Sequence, residues 1–291
     1  MKRIFLRCML FLLTLTVCIS SFAEEIPDIN TILMRSTFKL EGQALGEAPG
    51  KSNVGTVFIL GKPSSADPKK SFFVLVTAGH VLKRMAGDEA VLYLRKKTGD
   101  TFQRMPYPIK IRENGRPVWT SHPQADVAVM YVWLPNDADI TTVSTDLLAT
   151  DKMLKEFDIH PGDRLSCLGY PMALEANDAG FPILRSGQVA SYPLTPTKDI
   201  KTFLFDFNVF GGNSGGPVYL RDSNRTYGGG TQLGTTVQFL VGLVSEQHIF
   251  NEEIKAGTEK LTLMHQLGLA KVIHASLIKE ALDLLPPVAE K

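Results

Sequence analysis

Short runs of apolar and β-branched residues, each closed off by turn-forming residues, recur along nearly the whole chain. Nothing else in the sequence constrains its fold as tightly. The first set lies at residues 36–40, 55–60, 72–77, 90–95, 109–112 and 127–134. The second lies at 163–169, 184–192, 202–208, 217–220, 235–245 and 268–273. Two such groups predict an all-β chain built as two six-stranded antiparallel β-barrels.

The stretch between the groups differs in composition. Residues 145–157 predict a short helix, with Leu148, Met153, Leu154 and Phe157 on an irregular apolar face. A clearer helix ends the chain: Leu277, Ile278, Ala281, Leu282 and Leu285 share one face, and Pro286-Pro287 stops it. Residues 62–70 read as a polar loop and 221–234 as a hairpin tip. Its Gly228-Gly229-Gly230 does not suit a phosphate, since neither a following helix nor a P-loop lysine is present. The predicted division is a leader at 1–23, a first barrel at 24–135, a connection at 136–160, and a second barrel with the C-terminal helix at 161–291.

The leader reads as a secretory signal. Lys2, Arg3 and Arg7 precede an apolar stretch at 9–19 that is short for a bilayer span, and Ser21-Phe22-Ala23 offers small residues for cleavage after Ala23. An exported protein, periplasmic or secreted, is expected. Removing those three cations leaves 28 of the 31 Lys and Arg against 30 Asp and Glu. Such a balance gives no reason to expect a nucleic-acid partner, or a membrane partner after cleavage. It leaves the oligomeric state open. Cys8 and Cys18 depart with the leader, so Cys167 has no disulfide partner and is expected to be a buried, inert thiol.

Three motifs carry the chemistry. Gly212-Asn213-Ser214-Gly215-Gly216-Pro217 sets a serine among glycines, which let the backbone turn tightly and leave room for a substrate. In such a turn the N–H groups of Gly212 and Ser214 converge as donors for a developing oxyanion. Thr77-Ala78-Gly79-His80 ends one apolar run with a histidine, and Ala125-Asp126 opens another. Acyl transfer needs a nucleophile, a base, an acid that orients the base, and oxyanion donors. Ser214, His80 and Asp126 fill the first three roles. Alone, each motif has a plainer reading: a glycine-rich turn, a structural histidine, a strand-start acid. Together, with a barrel-length gap between each pair, they favour the catalytic one. Asp88, Asp100, Asp137 and Asp139 compete for the acid, but none opens an apolar strand.

This set resembles the trypsin-like, chymotrypsin-fold serine protease superfamily. Within it, the similarity is to the bacterial, disulfide-free HtrA/Deg-type branch, with Gly-Asn-Ser-Gly-Gly at its nucleophile. Further similarity runs through Asn53-Val54-Gly55-Thr56-Val57-Phe58, Pro161-Gly162-Asp163-Arg164, Gly169-Tyr170-Pro171, Ser186-Gly187-Gln188-Val189 and Val241-Gly242-Leu243-Val244-Ser245. The resemblance implies a serine endopeptidase that needs no cofactor and binds an extended polypeptide. It also implies that Ser245 supports Asp126, and that Ser245-Glu246-Gln247 is the edge pairing with substrate. Asn208 would form the base of the primary specificity pocket; a neutral residue there argues against cleavage after Arg or Lys. Gln247 would narrow that pocket, where many relatives have glycine. Two departures stand out. Asn213 replaces the aspartate that pairs with a new N-terminus in digestive proteases, so that route of activation is not implied. The residues after Ser214 are consumed by the barrel and helix, so no PDZ domain is expected.

Two readings compete. The same pentapeptide satisfies the esterase pattern Gly-x-Ser-x-Gly, which requires a helix after the serine and a later histidine; His248, His265 and His274 are available. The other is a catalytically silent or ligand-activated binding protein on a protease fold. Metal catalysis has no support, for neither His-x-x-x-His nor Cys-x-x-Cys spacing occurs.

Overall fold

The computed structural model describes residues 28–288 except 65, 66, 68, 69, 232–234, 257 and 258. The predicted leader, with its cleavage site, Cys8 and Cys18, lies outside the described residues. Helix α1 (Ile29–Ser36) opens the described chain, its first turn capped by the Asp28 carboxylate, which accepts from Asn30 N–H at 2.8 Å. The first sheet uses β1 (Thr37–Gln43), β2 (Ser52–Pro63), β3 (Ser71–Ala78), β4 (Glu89–Thr98) and β5 (Thr101–Lys110). After the small ribbon β6 (Arg112–Glu113) with β7 (Arg116–Pro117), the sheet continues with β8 (Thr120–Ser121), β9 (Val127–Tyr131) and β10 (Val143–Ser144). Its order is β5-β4-β1-β2-β3-β9-β8, with β10 pairing parallel to β2. The sheet therefore has eight strands against the six expected, the additions being two-residue pairings too short to leave a sequence pattern.

The second half is a closed six-stranded barrel. Its strands are β11 (Arg164–Gly169), β12 (Ile183–Val189), β13 (Thr202–Asp206), β14 (Pro217–Asp222), β17 (Val237–Ala256) and β18 (Glu259–His274), in the order β11-β12-β13-β18-β17-β14. A side ribbon, β15 (Thr226–Tyr227) with β16 (Gly230–Thr231), forms part of the predicted hairpin tip. Residues 145–157 do not make one helix. They form a 3₁₀ turn (Thr145–Leu147) and α3 (Asp151–Glu156), because Leu148 bridges Leu240 and Ala149 N–H donates to the Leu240 carbonyl at 2.8 Å. The backbone between the two pieces is spent on the barrel wall. The final helix, α4 (Ala275–Asp283), buries Leu277, Ile278, Ala281 and Leu282 as its periodicity predicts, and packs against both β9 and β17.

The core is continuous across the two halves. Val74–Ala78 of β3 are all fully buried, since β2 and β9 flank the strand and side chains pack on both its faces. Arg95 is wholly buried between the rings of Phe38 and Phe181, and donates to the carbonyls of Met34, Thr37 and Gly180. It ties the first sheet to the loop that follows β11. Cys167 is buried, and burial pushes its thiol pKa up to about 12, with the Arg185 charge acting in the opposite direction.

His274 is a packing residue with a measurable consequence. It is 1 % exposed, its ring lies 5.0 Å from that of Phe203, and neither ring nitrogen has a hydrogen-bond partner among the described residues. Burial pushes its pKa down from 6.5 to about 4, while the charge of Asp151 pulls the other way. The folded protein therefore holds His274 neutral, whereas the unfolded chain protonates it below pH 6.5. Stability is whole above that pH and is lost as the pH falls towards 4. Between pH 7 and pH 5 the loss should be about 2 kcal/mol. His274→Phe should remove that part of the acid sensitivity. Urea midpoints of both proteins at the two pH values measure it; equal sensitivity in both would contradict it.

Candidate active site

The end of β3 and the start of β9 pair through Ala78 and Val127, which brings Asp126 beneath the first turn of the short helix α2 (Gly79–Lys83). Gly79 makes the approach possible: a Cβ there would stand 2.9 Å from Asp126 Oδ1. Gly79 N–H donates to the Asp126 carbonyl at 3.0 Å, and His80 N–H donates to Asp126 Oδ1 at 2.8 Å. The imidazole Nδ1 lies 2.5 Å from Asp126 Oδ2, and Ser245 Oγ donates to the same oxygen at 3.0 Å. Burial works to raise the Asp126 pKa. The hydrogen bond from the His80 ring, the His80 charge and the Ser245 hydroxyl outweigh it, so the carboxyl sits below its ordinary 3.8. An ionised carboxylate only accepts, so Nδ1 carries a hydrogen, and in the neutral ring Nε2 is the acceptor.

The serine loop is shaped by close backbone contacts. Gly212 has φ +95° and Gly215 φ +87°; a Cβ at either would lie 2.1 Å from a carbonyl oxygen, of Tyr170 and Thr56 respectively. Only glycine fits these two positions. The carbonyl of Gly211 accepts from Met172 N–H at 2.6 Å, and peptide planarity then sends the Gly212 N–H the opposite way. The Asn213 carbonyl accepts from Gly216 N–H at 2.9 Å, which turns the Ser214 N–H outward by the same logic. Neither N–H has an acceptor among the described residues. Ser214 Oγ donates to the Ser245 carbonyl at 2.9 Å, and among the described residues no hydrogen bond joins it to His80.

Thr56 is the residue that sequence reasoning missed. It is wholly buried on β2 and joins the two halves at the serine loop. Its N–H donates to the Ser214 carbonyl at 2.9 Å, and its hydroxyl donates to the Gly212 carbonyl at 2.6 Å while accepting from Tyr170 N–H at 3.2 Å. Its own carbonyl accepts from Thr77 Oγ1 at 2.8 Å. A threonine in an apolar strand has no local signal for this role.

The remaining predicted residues are placed as follows. Ser245 is buried on β17; Glu246 is exposed and Gln247 half-buried beyond it. Asn208 is exposed, its carbonyl accepting from Arg185 at 2.6 Å and its side chain beside Gly268; the buried residues next to it are Phe207 and Val209. Asn213 is buried, its Oδ1 against Gly169, and its Nδ2 lacks a partner among the described residues. The esterase arrangement fails on geometry: strand β14, not a helix, follows the serine. Of its candidate histidines, His265 pairs with Glu252 at 2.9 Å and His274 is buried.

A family model described as a trypsin-like peptidase domain matches residues 55–228. No curated protein matches the chain in sequence. Among solved structures, the protease Anisep from Arthrobacter nicotinovorans is similar at 14% identity, over 86% of this chain and 94% of its own, with a TM-score of 0.45. The Rv3671c protease from M. tuberculosis, in its active form, is similar at 17% identity over 90% of this chain and 86% of its own, with a TM-score of 0.45.

Proposed function

Because the chain belongs to the trypsin-like peptidase family, whose matched segment spans more than half its length, we propose that it is a serine endopeptidase. Its substrate is a polypeptide in extended conformation, cleaved through an acyl-enzyme. The observation that carries this reading is the Asp126 carboxylate, which accepts from the His80 ring, the His80 backbone and the Ser245 hydroxyl together. A strand-start acid with a purely structural task has no need to hold both the ring Nδ1 and the backbone N–H of one histidine.

Ser214 Oγ turns from the Ser245 carbonyl to His80 Nε2, which takes its proton as Oγ bonds to the substrate carbonyl carbon. The carbonyl oxygen becomes an oxyanion held by the Gly212 and Ser214 N–H groups. The imidazolium, steadied by Asp126, gives the proton to the leaving amine as the C–N bond breaks. Water then repeats the sequence on the acyl-enzyme and frees Ser214. A substrate N–H that pairs with the Ser245 carbonyl competes with the Ser214 hydroxyl for it, and so favours the turn towards His80. The alternative, a silent or ligand-activated binding protein, draws on one observation: Ser214 donates to Ser245 and not to His80.

Mass spectrometry of a disordered polypeptide incubated with the protein tests the reading. Cuts at internal peptide bonds are expected; trimming from the termini alone, or an intact polypeptide, would overturn it.

Thr56 acts here as a positioning residue. Thr56→Val keeps the shape but leaves the Gly212 carbonyl and the Tyr170 N–H without their partner, which frees the oxyanion loop to reorient. Losing one oxyanion donor typically costs about 100- to 1000-fold in kcat. Loosening one should cost roughly tenfold or more in kcat, with KM little changed, while Thr56→Ser retains most activity. A loss confined to KM, or no recovery with serine, would contradict this role.

A further inference from the structure

We propose that the β17–β18 hairpin, where it outruns the barrel, is a binding strand for the substrate chain on the N-terminal side of the cleaved bond, well beyond the residues beside Ser214. This rests on the endopeptidase reading above. One edge of β17 pairs with β14 only from Val237 to Leu243. Val244 then bonds Gly215 and Gly216, and the Ser245 carbonyl faces Ser214 Oγ. From Glu246 onward β17 pairs with β18 alone, and no other described strand takes its second edge. After irregularities at Ser245 and His248, pairing is unbroken from Ile249 with Gln266 to Ala256 with Glu259.

The ribbon also exposes an apolar face. Alternation puts Phe250, Glu252 and Ile254 on one side, opposite His265 and Leu263 of β18. Phe250 is 56 % exposed, Ile254 39 % and Leu263 38 %. A two-stranded ribbon is marginal in water, and an open edge is a template for another strand. A third strand would satisfy the edge and set its own side chains beside these on the same face. The occupant follows from where the edge begins: it starts at Ser245, against the nucleophile. A polypeptide pairing antiparallel, with its scissile carbonyl at Ser214, runs N-terminally along residues 246–256. Every second side chain then stands on the same face as Phe250 and Ile254, beside them. The favoured substrate is therefore long on that side, with apolar residues at alternate positions.

The test uses two fluorescent peptides, a nine-residue alternating valine–serine chain and its three C-terminal residues, titrated against the full chain by anisotropy. The longer peptide should bind at least tenfold more tightly. Phe250→Asp with Ile254→Asp should bring its Kd to that of the shorter one, whose own Kd stays unchanged. Phe250→Thr, a milder change that keeps strand propensity, should move the Kd in the same direction if the double variant fails to fold. Equal affinities in the unsubstituted chain, or a length effect that survives substitution, would overturn the proposal. So would a dimer that Phe250→Thr splits without altering either Kd, because the face would then belong to a second copy. Labelling of Ser214 by a fluorophosphonate in the same samples separates the two claims. A length effect without labelling refutes the endopeptidase reading, and labelling without a length effect refutes the extended strand.

Discussion

Ser214→Ala should lower kcat by about 10⁶-fold and leave the folded protein essentially intact. The side-chain oxygen is the atom that attacks, so nothing else in the site can replace it. Its structural contribution is small: one hydrogen bond, to the Ser245 carbonyl, worth about 1 kcal/mol. The loop is held by backbone bonds that alanine retains, from Thr56 to Ser214, Gly215 to Val244 and Gly216 to Asn213. Steady-state kinetics on a peptide substrate, beside a urea midpoint, measure both parts. A variant that keeps even a hundredth of the activity would remove Ser214 from the chemistry. Lost activity with a collapsed midpoint would mean that the serine is structural.

The second large effect is expected at Asp126. Asp126→Asn should lower kcat by about 10⁴-fold with the fold preserved. The carboxylate accepts three hydrogen bonds, two from His80 and one from Ser245. Asparagine has a single acceptor oxygen and an NH₂ group that must face one of these donors. If the NH₂ faces Nδ1, the imidazole takes the other tautomer, with hydrogen on Nε2, and can no longer accept the Ser214 proton. The loss should therefore fall on kcat, not on KM. In the unsubstituted protein His80 and Ser245 hold Asp126 below the ordinary carboxylate range despite its burial, so the acceptor is fully ionised near neutral pH. Near-normal kcat in Asp126→Asn would show that His80 does not depend on this carboxylate.

The residues that form this site were visible in the sequence because each stands where an apolar strand ends or begins. His80 lies two residues past the end of β3, in the first turn of α2, Asp126 precedes β9, and Ser214 sits among glycines before β14. A strand end fixes where a side chain emerges, and a continuous apolar run marks each of these strands, which are buried on both faces. What stayed hidden depends on long-range backbone contacts. Thr56 looks like any strand threonine until the carbonyls of Gly212 and Ser214 arrive beside it. The break in the predicted helix at Leu148 comes from its bridge to Leu240, far along the chain. The hairpin beyond Ser245 was missed because its mixture of Glu, His and apolar residues has no core to face, and so gives no burial pattern. Helix α1 carries readable signals in the Asp28 cap and in Ile29, Ile32 and Leu33, which recur at helical spacing, and sequence reasoning passed over both.

The most direct test of the central claim is labelling of the purified protein by a fluorophosphonate, with Ser214→Ala and His80→Ala as controls. The reagent reports at once on the nucleophile, the base and the oxyanion donors, because phosphonylation needs all three. Labelling of the unsubstituted protein that disappears in both variants is the predicted result. Labelling that survives in either variant, or a folded protein that takes up no label, would contradict the assignment of Ser214 and His80 as a working pair.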